Sequence, residues 1–367
     1  MPFTTGELNS IANSALDYYF NKGNAFKLSI QKKPLLKWLE DSKKTFPGGK
    51  GNISIGVIGT YGAGGVNDGV AGFSHNDKVV FYTPANNLRL NFSWREHHIG
   101  ITLTHTELKI DGISVMSTNG DNLRKHSRRE MTVLIGLLES KLFDMGERYA
   151  TTMNNLMWGD GTGDAKALAG VQFLISEDPS QGVVGGLDRA TYAFMRNRAR
   201  TAAFGAKVAA DPTLAAHGGD AVTSSTADGG ALLTTLDTEY RQLIRYGGKP
   251  TKFLAGSDFI GAMEKEMRAN GLYSQNGFSS GGDVSMGALN YKGTVIEYDP
   301  TLDTLGLSKR AYWLDGRAIS LQAMENEWRR SHSPERAPDE FVMYRSLTCT
   351  GQLVAQQFDS SLVIDIK

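Results

Sequence analysis

One helical period dominates the middle of the sequence. Ser127-Arg128-Arg129-Glu130 has the Ser-x-x-Glu form of a capping box, set directly before an apolar series. Met131, Leu134, Leu138, Leu142, Met145, Tyr149, Met153 and Leu156 follow at three- or four-residue steps, the spacing of one helix face. Nothing interrupts the pattern before Gly159, so the helix is expected to run roughly 45 Å at ~1.5 Å per residue. It breaks at Trp158-Gly159-Asp160-Gly161-Thr162-Gly163-Asp164. The chain then passes through Leu168-Ala169-Gly170-Val171-Gln172-Phe173-Leu174-Ile175 to Val184-Gly185-Gly186-Leu187-Asp188-Arg189-Ala190-Thr191. No catalytic grouping is arranged along this stretch, which points to a building block rather than an enzyme.

A length of 367 residues allows one large domain or two to three smaller ones. Acidic and basic side chains balance at 39 each, so no global charge pulls the chain towards nucleic acid or an acidic membrane. The same balance offers little protection against self-association. Cys349 stands alone, which rules out an intrachain disulfide and fits a reducing compartment. In the β-type run Leu347-Thr348-Cys349-Thr350, with no nearby histidine, it reads as a structural thiol. The first residues lack a basic-then-apolar signal pattern. No apolar run nears the ~20 residues of a membrane helix, so the protein is expected in the cytosol when made.

Residues 6–21 read as a short helix, and Pro34 as the first residue of a second one that ends at Pro47-Gly48-Gly49. This opening is basic and contains little core-forming material, like an arm lying on something else. From Asn52 to about Val115 the pattern is β: Ile53, Ile55, Val57, then Leu88, Leu90, Phe92, Trp94, then Ile99, Ile101, Leu103, all at period two. A two-stranded excursion with the Gly- and Asn-rich tip Tyr61 to Asp77 is marginal alone, so it should rest on another surface, such as a neighbouring subunit. Arg124, Lys125, Arg128 and Arg129 crowd the N-terminus of the long helix, where the helix dipole disfavours positive charge. They either meet acidic partners across an interface or form a solvated basic end. Residues 204–231 read as a loosely packed surface loop. After it come helices over Leu232–Tyr246 and Ser257–Asn270, with strands at Phe253–Ala255, Thr294–Tyr298 and Ala311–Leu314, suggesting a compact α/β or α+β domain. The tail from Phe341 to Ile366 returns to β pattern.

Several motifs tempt a chemical reading and fail it. Gly59-Thr60-Tyr61-Gly62-Ala63-Gly64-Gly65 follows a strand, but a dinucleotide fingerprint from Gly62 needs glycine where Asn67 stands, and no helix opens after it. Asp160, Thr162 and Asp164 mimic a calcium loop whose sixth and twelfth places hold Ala165 and Val171 in place of Gly and Glu. His97 and His105 would share a strand face but stand roughly 26 Å apart at ~3.3 Å per residue, and His98 faces the other way. No Gly-x-Ser-x-Gly elbow occurs. No catalytic residue, cofactor site or metal site is expected.

The segments Leu156–Gly163, Ala169–Ile175 and Val184–Thr191, followed by Met195-Arg196-Asn197, resemble tailed-bacteriophage major capsid proteins, which share the Hong Kong 97-type capsid fold. Gly247–Ser257, Gly293–Asp299 and Arg310–Asp315 are similar to later steps of that family, in the same order. The resemblance implies an α+β fold with an N-terminal arm (1–47) and an extended β loop (48–115). It further implies a peripheral domain with a spine helix (116–231 and 325–367) and an axial domain (232–324). It implies self-assembly as hexamers and pentamers into an icosahedral shell around packaged double-stranded DNA, formed in the host bacterial cytoplasm and ending in the virion. A separate scaffolding protein, a portal and a decoration protein are the implied partners, with DNA contacted non-specifically and no membrane. Candidate inter-subunit contacts are Arg124, Lys125, Arg128 and Arg129, with Phe92 and Trp94 on the ribbon. An encapsulin-type shell and a soluble α/β enzyme are the alternatives.

Overall fold

Three leucines decide how the chain enters the fold. In the computed structural model Pro34 opens helix α1 (Pro34–Asp41), a position that needs no N–H, and Leu35, Leu36 and Leu39 are fully buried. The helix stops at Asp41, not at Pro47, and Lys44–Phe46 continue as strand β1. A segment expected to contribute little core is therefore built into the main one, because one apolar face of α1 docks completely. The structure describes residues 3–4, 33–49, 51–59, 74–77, 87–110, 115–116, 128–164, 166–227, 230–269, 289–332, 335–336 and 342–367. The expected helix over 6–21 and most of the ribbon tip lie outside them.

Strands β2 (Asn52–Ile58) and β3 (Asn87–Ser93) form the antiparallel ribbon, with Asn52 opposite Ser93 and Ile58 opposite Asn87. Register puts Ile53, Ile55 and Val57 beside Phe92, Leu90 and Leu88 on one face. Leu90 and Phe92 are buried in the main core, and Ile53, Ile55 and Val57 pack against it. The ribbon base thus rests on its own subunit. Strand β4 (Arg95–Thr104) departs from the expected ribbon and joins a different sheet. It ends in a capping box of its own: Thr104 N–H donates to Glu107 Oε2 (3.1 Å) and Glu107 N–H to Thr104 Oγ1 (3.2 Å), opening α2 (His105–Ile110).

The long helix is α3 (Arg128–Trp158), 31 residues. Leu142, Met145, Tyr149, Met153 and Met157 form its buried stripe. Beyond it come β5 (Arg198–Arg200), α4 (Ala202–Ala210) and β6 (Gly218–Gly219). The span expected as a loose loop is therefore structured. Thr201 Oγ1 caps α4 by accepting from Phe204 N–H (3.2 Å), and Phe204 and Leu214 are buried. Then follow α5 (Ala231–Leu243), β7 (Lys252–Ala255), α6 (Ser257–Ala269), β8 (Asn290–Tyr291), β9 (Thr294–Tyr298), α7 (Pro300–Thr304) and β10 (Arg310–Leu314). The described chain closes with β11 (Ile319–Ser331), β12 (Val342–Ala355) and β13 (Leu362–Asp365).

Two sheets carry the body. One has seven strands in the order β6-β5-β13-β10-β7-β9-β8, mixed in direction. Its central strands are buried on both faces at period two. Phe253, Ala255, Ala311, Trp313, Leu362 and Ile364 point into the core beneath α5 and α6, whereas Leu254, Tyr312, Leu314 and Val363 point into the main core. β13 lies between β5 and β10, so the boundary drawn at residue 324 does not follow the sheets. In the second sheet β11 has β1 and β12 as neighbours, and β4 lies along the far side of β12, Arg95 opposite Gly351 through Thr104 opposite Val342.

Candidate interaction surfaces

The break after α3 is a designed junction, and its glycines show how tight it is. Gly159 N–H donates to Asn155 O (2.9 Å), ending the helix. A Cβ on Gly170 would stand 2.4 Å from Met157 O and 2.6 Å from both Leu156 O and Gly159 O, so only glycine lets the returning chain cover the helix end. Asp160 Oδ1 accepts from Thr162 N–H (3.0 Å) and its Oδ2 from the Thr162 hydroxyl (2.8 Å), and these bonds hold the carboxyl below its usual range. The carboxylate that mimicked a calcium ligand is thus a turn former. Val184-Gly185-Gly186-Leu187 is a two-residue hairpin with positive φ at both glycines. Arg189, almost fully buried, donates to Leu174 O (2.6 Å) and Phe173 O (3.3 Å). Burial lowers its pKa to about 10.

The end of α3 is the hub of the subunit. Asn154 Oδ1 accepts from Leu36 N–H of α1 (3.2 Å), and its Nδ2 donates to Thr301 Oγ1 (2.7 Å). Trp158 Nε1 donates to Asp299 Oδ2 (2.8 Å), whose other oxygen caps α7 through Thr301 N–H (2.9 Å). One turn of helix therefore fixes α1 and the sheet with β9 and β10 to the same point. Glu239 of α5, fully buried, pairs with Arg198 and Arg200 of β5. Glu266 of α6 accepts from Ser225 N–H (2.9 Å), Leu232 N–H (3.0 Å) and Leu233 N–H (3.1 Å). It caps α5 from a neighbouring helix, replacing the side-chain cap that Gly230 lacks.

Cys349 is buried 3.5 Å from the Tyr149 hydroxyl, and burial pushes its thiol pKa up, away from the reactive thiolate. His97 and His98 lie on β4 and His105 opens α2. Among the described residues no three His, Cys, Asp or Glu side chains converge as a metal site, and no helix is long and apolar enough to cross a membrane.

The expected contact residues separate. Arg124 and Lys125 lie outside the described residues, as do the side chains of Arg128 and Arg129, whose backbone opens α3. Phe92 is 4% exposed within the main core, which corrects its placement as an outward ribbon contact: period two turned it towards its own subunit. Trp94 is half-buried between β3 and β4. Outward apolar surface lies elsewhere. Ile244 and Tyr246 follow α5, Val295 and Tyr298 stand on β9, and Leu305 follows α7, all exposed. Sequence periodicity missed them, since an apolar residue at a strand or helix end reads the same whether the edge is covered or bare.

No protein-family model matches the chain, and no curated protein matches it. Solved structures do. The subunit of the cyanophage A-1(L) capsid asymmetric unit matches with a TM-score of 0.56 at 13% identity, over 91% of this chain and 92% of that one. The fold is the Hong Kong 97-type capsid fold. Capsids of empty and native GTA particles also match this capsid fold, each with a TM-score of 0.50 over 89% of both chains, at 10% and 11% identity. At this identity the likeness is one of fold, with most side chains different.

Proposed function

We propose that this chain is the major capsid protein of a tailed bacteriophage, assembling as hexamers and pentamers into an icosahedral shell around packaged double-stranded DNA. The observation that carries the reading is the end-to-end likeness to the cyanophage A-1(L) capsid subunit, which leaves little of either chain unmatched. Heterologous contacts that close by rotation make rings, and rings tile into shells. The exposed apolar residues after α5 and on β9 suit contacts near the ring centre. The ribbon beyond its clamped base and the basic head of α3, Arg124, Lys125, Arg128 and Arg129, suit contacts with neighbours. A separate scaffolding protein and a portal are the expected assembly partners, with a decoration protein as a further candidate. The mature location is the virion.

Sedimentation velocity and negative-stain imaging of the purified chain, alone and with a candidate scaffold, test this directly. Rings, tubes or closed shells are expected. A uniform monomer or dimer under every condition refutes the reading. Arg128→Glu with Arg129→Glu is expected to weaken assembly, and unchanged particle yield removes that cluster from the interface.

A further inference from the structure

The face made by α1, β1 and the last third of α3 is basic and carries no apolar anchor. Lys33 and Lys37 stand one helical turn apart at the start of α1, and Lys43 and Lys44 follow where the chain passes into β1. Lys37, Lys43 and Lys44 are exposed and Lys33 half-buried. None of the four has an ion-pair partner among the described residues, whereas nearby Lys141, Arg148 and Arg329 are paired with Glu107, Asp144 and Glu40. Glu40 is occupied by Arg329, so Asp41 is the one exposed acid between Lys33 and Phe46. α1 lies antiparallel on α3: Leu36 meets Asn154, while Glu40 accepts from the Tyr149 hydroxyl (3.3 Å). After Glu147, α3 has no acid up to its end at Trp158, and its exposed positions are Arg148, Thr151, Thr152 and Asn155. Cations, hydroxyls and an amide are thus the groups that these two packed helices and β1 expose.

The nature of the partner follows from what this surface lacks. A protein partner is held chiefly by aromatic or aliphatic anchors in desolvated pockets. None of the large exposed hydrophobic residues falls within 33–46 or 148–158; Phe143 is the nearest along α3. A nucleic-acid backbone needs only cations and hydrogen-bond donors.

We propose that this face binds the phosphate backbone of duplex DNA without reading its sequence. The inference rests on the capsid reading for its setting, and within that reading it identifies the side of the subunit that meets the packaged genome. Each phosphate neutralised releases counterions and adds about −0.9 to the slope of log affinity against log salt. Four lysines then contribute up to about −3.6, or roughly a 100-fold fall in affinity between 50 and 200 mM salt.

The test is fluorescence anisotropy of a random-sequence duplex titrated with the full unassembled chain across that salt range. Wild type is compared with K33Q/K37Q/K43Q/K44Q and with K249Q/K265Q/K309Q, which removes exposed lysines elsewhere. A shallower slope and weaker low-salt binding in the quadruple variant, with the control variant like wild type, are expected. Melting curves check that both variants are folded. Equal slopes in the quadruple variant and wild type overturn the proposal, and so does a wild-type chain that does not bind. Polyglutamate competing as well as DNA at equal charge overturns the nucleic-acid assignment in favour of an acidic protein. Shell formation is imaged separately. Shells with equal slopes sink the DNA face alone, whereas a lysine-dependent slope without any shells sinks the capsid reading and leaves the DNA face standing.

Discussion

Removing the Glu266 carboxylate is expected to loosen α5 from its first turn. Leu232 and Leu233, whose N–H groups it accepts, are buried, so water cannot take its place readily. Glu266→Ala orphans both donors at about 1–3 kcal/mol each and removes a charge from a helix N-terminus, about 0.3–1 kcal/mol more. The Ser224 hydroxyl, which donates to Oε1 at 2.9 Å, and the half-buried Ser225 N–H can turn to solvent and add little. The total is about 2–7 kcal/mol. At about 2.1 cal/mol/K per residue, 367 residues have an unfolding entropy near 0.77 kcal/mol/K, so the loss lowers Tm by about 3–9 °C. Glu266→Gln keeps one acceptor oxygen and should lose about half as much. The assay is thermal melting of the unassembled chain with hydrogen exchange at the Leu232 and Leu233 amides. Exchange there should accelerate in both variants before the rest of the chain responds. A Glu266→Ala protein melting within 1 °C of wild type, with those amides still protected, would refute the capping role.

Three further outcomes are expected. Gly170→Ala should cost about 1–3 kcal/mol by overpacking against three helix-end carbonyls, whereas Gly163→Ala, with open space around it, should be near neutral; paired melting curves decide this. At the ribbon base a Cβ on Gly59 would fall 2.2 Å from the Phe194 ring, so Gly59→Ala should destabilise, with partial rescue by Phe194→Ala in a double-mutant cycle; strictly additive effects would refute the contact. His217 and Asp359 stand 3.8 Å apart with opposite shifts: burial, then Arg196 and Arg198, lower the imidazole to about 4, and burial raises the carboxyl to about 7. The His217 contribution is present above 6.5 and lost as pH falls towards 4, while that of Asp359 is present below 3.8 and lost as pH rises through about 7. The two slopes oppose each other. Asp359→Asn should therefore gain stability relative to wild type as pH rises from 4 to 7, and His217→Gln should gain relative to wild type as it falls; pH-independent differences in Tm would contradict both shifts.

Where local chemistry decides a structure, these residues announced it. The α3 period, its stop at Gly159 and Pro34 all work within a few residues of themselves, and each stands where its pattern places it. The family resemblance rested in part on the junction segments, where Gly170 leaves no room for a side chain. Partners distant in sequence were not legible. Glu266 looks like any helix-face acid until α5 is seen beneath it, and Leu35, Leu36 and Leu39 look too few for a core until α3 supplies the other half. Phe92 and Ile99 both stand in period-two runs, yet β3 and β4 belong to different sheets, because period two fixes which face is buried and not which strand lies alongside. The contact surfaces were the least legible of all, since charge order cannot show which cations find a carboxylate.

The placement of β13 sets the order of events during synthesis. Its residues occupy the gap between β5 and β10 and fill both cores at once, Leu362 and Ile364 on one side and Val363 on the other. A growing chain that has not yet released residue 365 keeps two unpaired strand edges and a slot through its largest sheet. The largest sheet is therefore completed only when residues 362–365 are in place.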